Sequence, residues 1–283
     1  MNLKNYLKFC FTLTLFFFFS TNIFAQNSEC GFEFTSENEE YFNSIMNEVK
    51  TLEEQFLQEQ LAFRTSTATN SIPVKAHIIR QSDGSGGLPL NDLNDAMAEL
   101  NSYYNVVGLN FFLCEGINYI DSDTYYDFQS SEENSLTGPN NVNGVINIYF
   151  TGSASANGNP VCGYAYFPGG PETIMGHFFA LTHTHGISNV DASTEELVNG
   201  SNCETTGDFI CDTPADPSLS GKVTGACQYL GNQRDANNDL YQPDPLNIMS
   251  YSLNQCLTVF SPQQIARMKA IYQISRTNLN CPS

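Results

Sequence analysis

Three of the chain's four histidines, His177, His183 and His185, fall within nine residues. The segment reads Gly176-His177-Phe178-Phe179-Ala180-Leu181-Thr182-His183-Thr184-His185-Gly186. On one continuous helix, His177 and His183 would stand about 240° apart around the axis. They can face a common ion only if the helix ends between them and the chain turns. A fold that uses both must therefore break a helix inside an apolar stretch. His77 lies alone in a strand-like run and reads as structural.

The 283-residue chain is long enough for one large domain or two small ones. Its N-terminus has the layout of a signal peptide. Lys4 and Lys8 precede the apolar run Phe9 to Phe19, and Ala25 offers a cleavage point before Gln26. The expectation is export, with release into the medium or the periplasm. Without Lys4 and Lys8, 9 basic residues face 30 acidic ones, a net charge of −21. That excludes nucleic acid and anionic membrane surfaces as natural partners. Eight cysteines remain beyond the signal region: Cys30, Cys114, Cys162, Cys203, Cys211, Cys227, Cys256 and Cys281. An even count in an exported chain points to disulfides, and no Cys-x-x-Cys pair suggests a zinc ribbon.

Residues 36 to 63 read as an amphipathic helix. Phe42, Ile45, Val49, Leu52 and Phe56 recur at three- and four-residue steps, and Ser36 with Glu39 has the spacing of a capping box. Within residues 26–71 this helix is expected to be either a pro-segment, the favoured reading, or a helix of the domain. Strands are expected over Ile72–Ile79, Leu109–Leu113, Val145–Phe150 and Tyr164–Phe167, with a turn at Ser82–Gly87 and a helix over about 90–105. Helix and strand alternate, so the expected class is α/β with a mixed sheet. From about residue 186 the chain becomes loop-rich and carries five of the eight cysteines. A helix from about Ser261, with Pro262 in its first turn, closes it.

The histidine spacing matches the second half of the long zinc motif His-Glu-x-x-His-x-x-Gly-x-x-His. Downstream, Asn247-Ile248-Met249-Ser250-Tyr251 looks like a Met-turn. Between them stands Gly207-Asp208-Phe209-Ile210-Cys211-Asp212-Thr213-Pro214, and after them Phe260-Ser261-Pro262-Gln263-Gln264 with Arg267-Met268. Ile72-Pro73-Val74, His77-Ile78-Ile79-Arg80 and Cys162-Gly163-Tyr164-Ala165-Tyr166-Phe167-Pro168 precede them in order. Together these segments, over about residues 72–275, resemble the pappalysin family of metzincin metalloproteases. The resemblance implies a metzincin-like domain over residues 72–283, a bound zinc and endopeptidase action on peptide or protein substrates. It implies zinc ligation by His177 and His183, a floor made by Met249, and a structural calcium near Asp208 and Asp212. Cys227 and Cys256 flank the Met-turn, so a disulfide between them is expected to brace it.

The first half of the zinc motif is missing. Thr173 stands where the first ligand belongs and Ile174 where the general-base Glu belongs. Thr173-Ile174-Met175-Gly176-His177 reads like the family's Thr-Ile-Met-His-Glu-Leu-Gly-His after an in-frame loss of three residues. Thr is a poor zinc ligand, and Ile has no proton to exchange. His185 is the candidate substitute ligand, although the resemblance sets it outside the site, and Glu172 would fall about 140° from His177 on a helix. No catalytic base is identifiable, so activity is expected to be impaired or absent. The alternative is a pseudoprotease that binds peptides or proteins through the old cleft. Ala180 replaces the motif's Gly, at a cost of about 1 kcal/mol or more if the turn is left-handed. Asp235-x-Asn237-x-Asp239 has calcium-loop spacing, but Leu240 stands at position six and no Glu follows, so a solvated turn is expected.

Overall fold

The sequence run Ile72-Pro73-Val74-Lys75-Ala76-His77-Ile78-Ile79 is buried on both faces, the mark of a central parallel strand. The computed structural model describes residues 31–32, 36–61, 69–156, 158–161, 164–165, 175–186 and 195–282. The signal region, Cys30, Cys162, Glu172, Thr173, Ile174 and the side chains of Ser36 and Glu39 lie outside the described residues.

The chain begins with the short strand β1 (Gly31–Phe32) and the helix α1 (Ser36–Leu61), followed by β2 (Asn70–Arg80). Then come α2 (Leu90–Tyr104), β3 (Leu109–Asp121), α3 (Asp123–Tyr126), β4 (Asp127–Gln129) and α4 (Glu133–Asn140). Strands β5 (Ile146–Phe150), β6 (Ser153–Ala156), β7 (Asn159–Val161) and β8 (Tyr164–Ala165) complete the sheets. Helix α5 (Met175–Phe178) carries His177, and α6 (Pro262–Ile271) closes the fold before a π-turn at Tyr272–Arg276.

The main sheet has the order β3-β2-β5, and both pairings are parallel. A smaller sheet, β4-β6-β7, is parallel on one side and antiparallel on the other. β1 pairs with β8 in parallel. The mixing of strand directions thus lies in the small sheet and not in the main one. Helix α2 crosses over between β2 and β3, which parallel neighbours require. Asn101 fastens it to β3 by exchanging two hydrogen bonds with the Phe111 backbone.

Helix α1 is packed into the main core. Phe42 and Val49 sit in one apolar cluster with Phe178, Phe179, Leu181, Met249 and Met268. Glu53 of α1 accepts hydrogen bonds from the Arg267 guanidinium of α6, and Arg267 also donates to Phe209 O. Both partners of this ion pair are almost wholly buried, at 4% and 1% side-chain exposure.

From residue 195 onward the fold is mainly turns, held by cross-links and side-chain staples. Disulfides join Cys203 to Cys211, Cys227 to Cys256, and Cys114 of β3 to Cys281. Helix α6 starts as its sequence requires. Ser261 caps it, Gln264 closes the capping box, and Pro262 occupies the first turn.

Candidate metal centre

Helix α5 ends one residue after His177, and the apolar segment behind it coils tightly. Phe179 N and Leu181 N both donate to Gly176 O, and Ala180 N donates to His177 O. Ala180 takes φ = 59°, the left-handed region, at a fully buried position. The break brings His177 and His183 together, with ring centroids 4.7 Å apart and the rings edge-to-face. His185 follows, with its ring parallel to His183 within 2° and 5.2 Å away. Tyr251 tilts against both, at 4.6 Å from His183 and 4.5 Å from His185.

Met249 packs against Gly176, the residue before His177. A Cβ at Gly176 would come within 2.4 Å of its sulfur, so any larger residue there would push the Met249 side chain aside. The turn carrying Met249 is set by Asn247, whose carboxamide oxygen accepts from Met249 N while its NH2 donates to Gln264 of α6. Thr184 N donates to Met249 O, which joins the histidine segment directly to this turn. The Cys227–Cys256 disulfide lies on the same loop.

The three histidines are buried, and for His177 and His183 burial favours the neutral form. Burial lowers the His177 pKa to about 4, partly opposed by the bond between Nδ1 and Leu181 O at 2.6 Å. His183 is also held well below the ordinary value, by burial and by the charges that His177 and His185 would carry. With His177 neutral, its Nδ1–H donates to the carbonyl and Nε2 keeps its lone pair. A backbone carbonyl that takes the Nδ1 proton in this way fixes the ring and leaves the other nitrogen ready for a metal. The donors therefore suit zinc chemically. The arrangement is incomplete as a ligand set. Among the described residues, no group of three or more His, Cys, Asp or Glu side chains is placed to hold a metal ion.

The carboxylates of the loop-rich half gather one layer away. Glu196, Asp208 and Asp216 are all buried. Burial and then the charges of Asp208 and Asp216 push the Glu196 pKa up to about 8. Asp208 rises to about 7, mainly by burial, although Thr213 Oγ1 and Ile210 N donate to it. Asp212 has a different task. It accepts from Ser261 Oγ and Gln263 N at the start of α6, where an anion also favours the helix dipole. Asp208 and Asp212, expected near one calcium, thus hold two different turns together. Asp235 accepts from Asn237 N, Asp239 N and Val198 N, which makes its loop a hydrogen-bonded turn.

Sequence reasoning did not single out Thr184, Glu196, Asp216 or the packing role of Tyr251. Tyr251 carried a usable signal, since it closes the Met-turn segment two residues after Met249. Glu196 and Asp216 carried none.

No family model matches the chain. A protein named extracellular metalloprotease from Arthroderma gypseum is 35% identical over 103 residues, which is 35% of this chain and 28% of that protein. Two further proteins carrying that name are 25% identical over longer spans. The match to the Podospora anserina protein covers 266 residues, 82% of this chain and 84% of the relative. The match to the Colletotrichum graminicola protein covers 260 residues, 79% of this chain and 83% of the relative. The chain is thus distantly similar, over most of its length, to proteins named as extracellular metalloproteases.

Proposed function

We propose that the chain descends from secreted zinc endopeptidases of the pappalysin type and that its own hydrolytic site is impaired. The observation that carries this reading is the chain break after His177 that brings His177, His183 and His185 together, while Ile174 stands where the motif places its general base. The names of the distant relatives support the metalloprotease ancestry. Export agrees with those names and with the described residues, in which no helix is long and apolar enough to cross a membrane.

In an intact site of this kind, zinc polarises the peptide carbonyl and acidifies a bound water. Here His177 and His183 would hold the ion, with His185 as the substitute third donor. Met249 packs against Gly176, and Tyr251 tilts against the His183 and His185 rings. The Glu that takes the proton from water in such a motif is replaced by Ile174. Loss of a general base alone removes roughly 10²- to 10⁴-fold in rate. A catalytic zinc also needs an open coordination position, whereas all three imidazoles are at most 4% exposed. These two facts favour the second reading, a pseudoprotease that binds a peptide or protein without cutting it. We also place α1 with the folded domain and not in a removable pro-segment, because its apolar face and Glu53 lie in the core.

The test is zinc stoichiometry of the purified protein after dialysis against metal-free buffer, followed by a peptide-cleavage assay with and without chelator. The expected result is less than one tightly held zinc per chain and no chelator-sensitive cleavage. Chelator-sensitive cleavage at an ordinary protease rate would overturn the proposal. Sequencing the gene across Met175 and Gly176 is the cheap complement. A recovered His-Glu-Leu would make the natural chain a full protease.

A further inference from the structure

We propose that His77, Asn118 and Asn140 form an acid-sensitive latch, in which a proton taken up by the His77 ring releases the end of α4 from the main sheet. The latch is independent of the histidine cluster around His177 and of the metalloprotease reading.

His77 is buried in β2, in register with Asn118 of β3 and Tyr149 of β5. Its Nε2 lies 3.0 Å from Asn147 Oδ1, and its Nδ1 lies 3.0 Å from Asn118 Nδ2. The surrounding amides fix which nitrogen carries the proton. Val142 N donates to Asn147 Oδ1, and Asn147 Nδ2 donates to Val142 O. The Asn147 oxygen therefore faces His77, and Nε2–H is the donor. Nδ1 is then an acceptor, and Asn118 Nδ2 supplies the hydrogen. The same NH2 donates to Asn140 Oδ1 at 3.2 Å, and Asn140 Nδ2 donates to Leu136 O of α4 at 2.7 Å. A proton on Nδ1 sets N–H against N–H. Asn118 can turn its oxygen to the charged ring only by setting that oxygen against Asn140 Oδ1. Asn140 can answer only by turning its own oxygen to Leu136 O. With a charged ring, one hydrogen bond at the end of α4 is therefore lost, either Asn118 to Asn140 or Asn140 to Leu136. Leu136 itself stays packed in the fold, so the change is confined to the end of α4 and the loop 141–145.

The groups around the ring favour its neutral form. Burial is the largest influence and holds the His77 pKa below the ordinary 6.5, partly opposed by the Asn147 bond. Lys75, two residues earlier on β2, also opposes the charge. Tyr149 of β5 stacks on the ring at 4.2 Å, and burial raises its own phenol pKa. β3 and α4 contribute the uncharged amides of Asn118 and Asn140. The stabilisation is thus present above the unfolded value of 6.5 and is lost as pH falls through the lower value of the folded chain.

The test follows the His77 ring protons of the full chain by NMR from about pH 7.5 down to about pH 4.5. Amide hydrogen exchange over residues 133–145 is read in parallel by mass spectrometry and corrected for the intrinsic pH dependence of exchange. Loss of one hydrogen bond should speed corrected exchange there about threefold or more as His77 charges, while residues 70–80 of β2 stay unchanged. Asn140→Ala, at a half-buried position, frees the Asn118 amide to turn. In that variant His77 should titrate at a higher pH than in the wild type. Exchange over 133–145 should already be fast at neutral pH and should no longer follow the ring. Asn118→Asp sets an acceptor against Nδ1 and should also raise the His77 titration. Both variants leave the buried ring in place, so neither result depends on replacing it. Corrected exchange over 133–145 that stays constant while the wild-type ring titrates would overturn the proposal. A ring that stays neutral until the whole domain unfolds would overturn it too, as would an unchanged His77 titration in both variants.

Discussion

Replacing Glu53 by Gln would leave the Arg267 guanidinium buried without its counter-charge. The pair lies between α1 and α6 at 4% and 1% exposure, and Arg267 keeps one backbone acceptor, Phe209 O. Breaking a buried pair from one side typically costs about 3–5 kcal/mol, because the remaining ion is uncompensated. For a domain of this size that lowers the melting temperature by roughly 10 °C. The assay is urea unfolding with disulfides intact, read by far-ultraviolet circular dichroism and tyrosine fluorescence. Glu53→Gln should shift the midpoint without changing the slope, since the surface exposed on unfolding stays the same. The double variant Glu53→Leu with Arg267→Met should recover about half the loss or more, because two apolar side chains replace two desolvated charges. A loss under about 1 kcal/mol for Glu53→Gln would refute the reasoning, for then α1 would not be docked as described. A proteolytic companion experiment follows. Cleavage between residues 62 and 68 should leave α1 bound to the rest under native conditions, whereas a pro-segment would dissociate.

Further outcomes follow from single positions. Ala180→Val should cost about 2 kcal/mol or more by thermal melt, since a β-branched residue resists φ = 59° and the site has no room. Ala180→Gly should fall within about 1 kcal/mol of wild type, because relief of the left-handed strain is offset by backbone entropy and a lost buried methyl. Cys281→Ser should cost about 2–5 kcal/mol by urea unfolding, as it opens a closure spanning 167 residues of sequence. The acid cluster sets a pH dependence in chelator. Glu196 and Asp208 titrate near 8 and 7 in the fold, above their ordinary 4.5 and 3.8. Their stabilisation is therefore fully present below the ordinary values and is lost as pH rises through 7 to 8. From pH 6.5 to 8.5, urea midpoints should fall for the wild type and fall less for Glu196→Gln. A flat wild-type profile would count against the buried acid cluster.

Much of the secondary structure was legible because local patterns carry it. The three- and four-residue apolar steps of α1 run from Ser36 to Leu61, and the Ser261-Pro262-Gln264 signature starts α6 at the observed residue. The long buried run of β2 was equally plain. Strand β3 was expected to stop at Leu113 but continues to Asp121, past a positive-φ pair at Glu115 and Gly116, where the pairing with β2 shifts register. Helix α4 and the strands β4, β6 and β7 gave no periodic signal, being three to eight residues long, with Pro139 inside α4.

By itself, the sequence determined that His177 and His183 can meet only if a helix breaks between them, that Ala180 bears the cost if that turn is left-handed, and that Ile174 stands where the motif places its Glu. These follow from spacing, from the conformational limits of L-residues and from the side-chain chemistry of Ile174. Only the tertiary structure decided that Glu53 pairs with Arg267, that β2, β3 and β5 run parallel, and that Asp216 reaches Thr184. Each of these joins groups 32 to 214 residues apart, and such contacts depend on how buried faces pack together and leave no mark in the local order of residues.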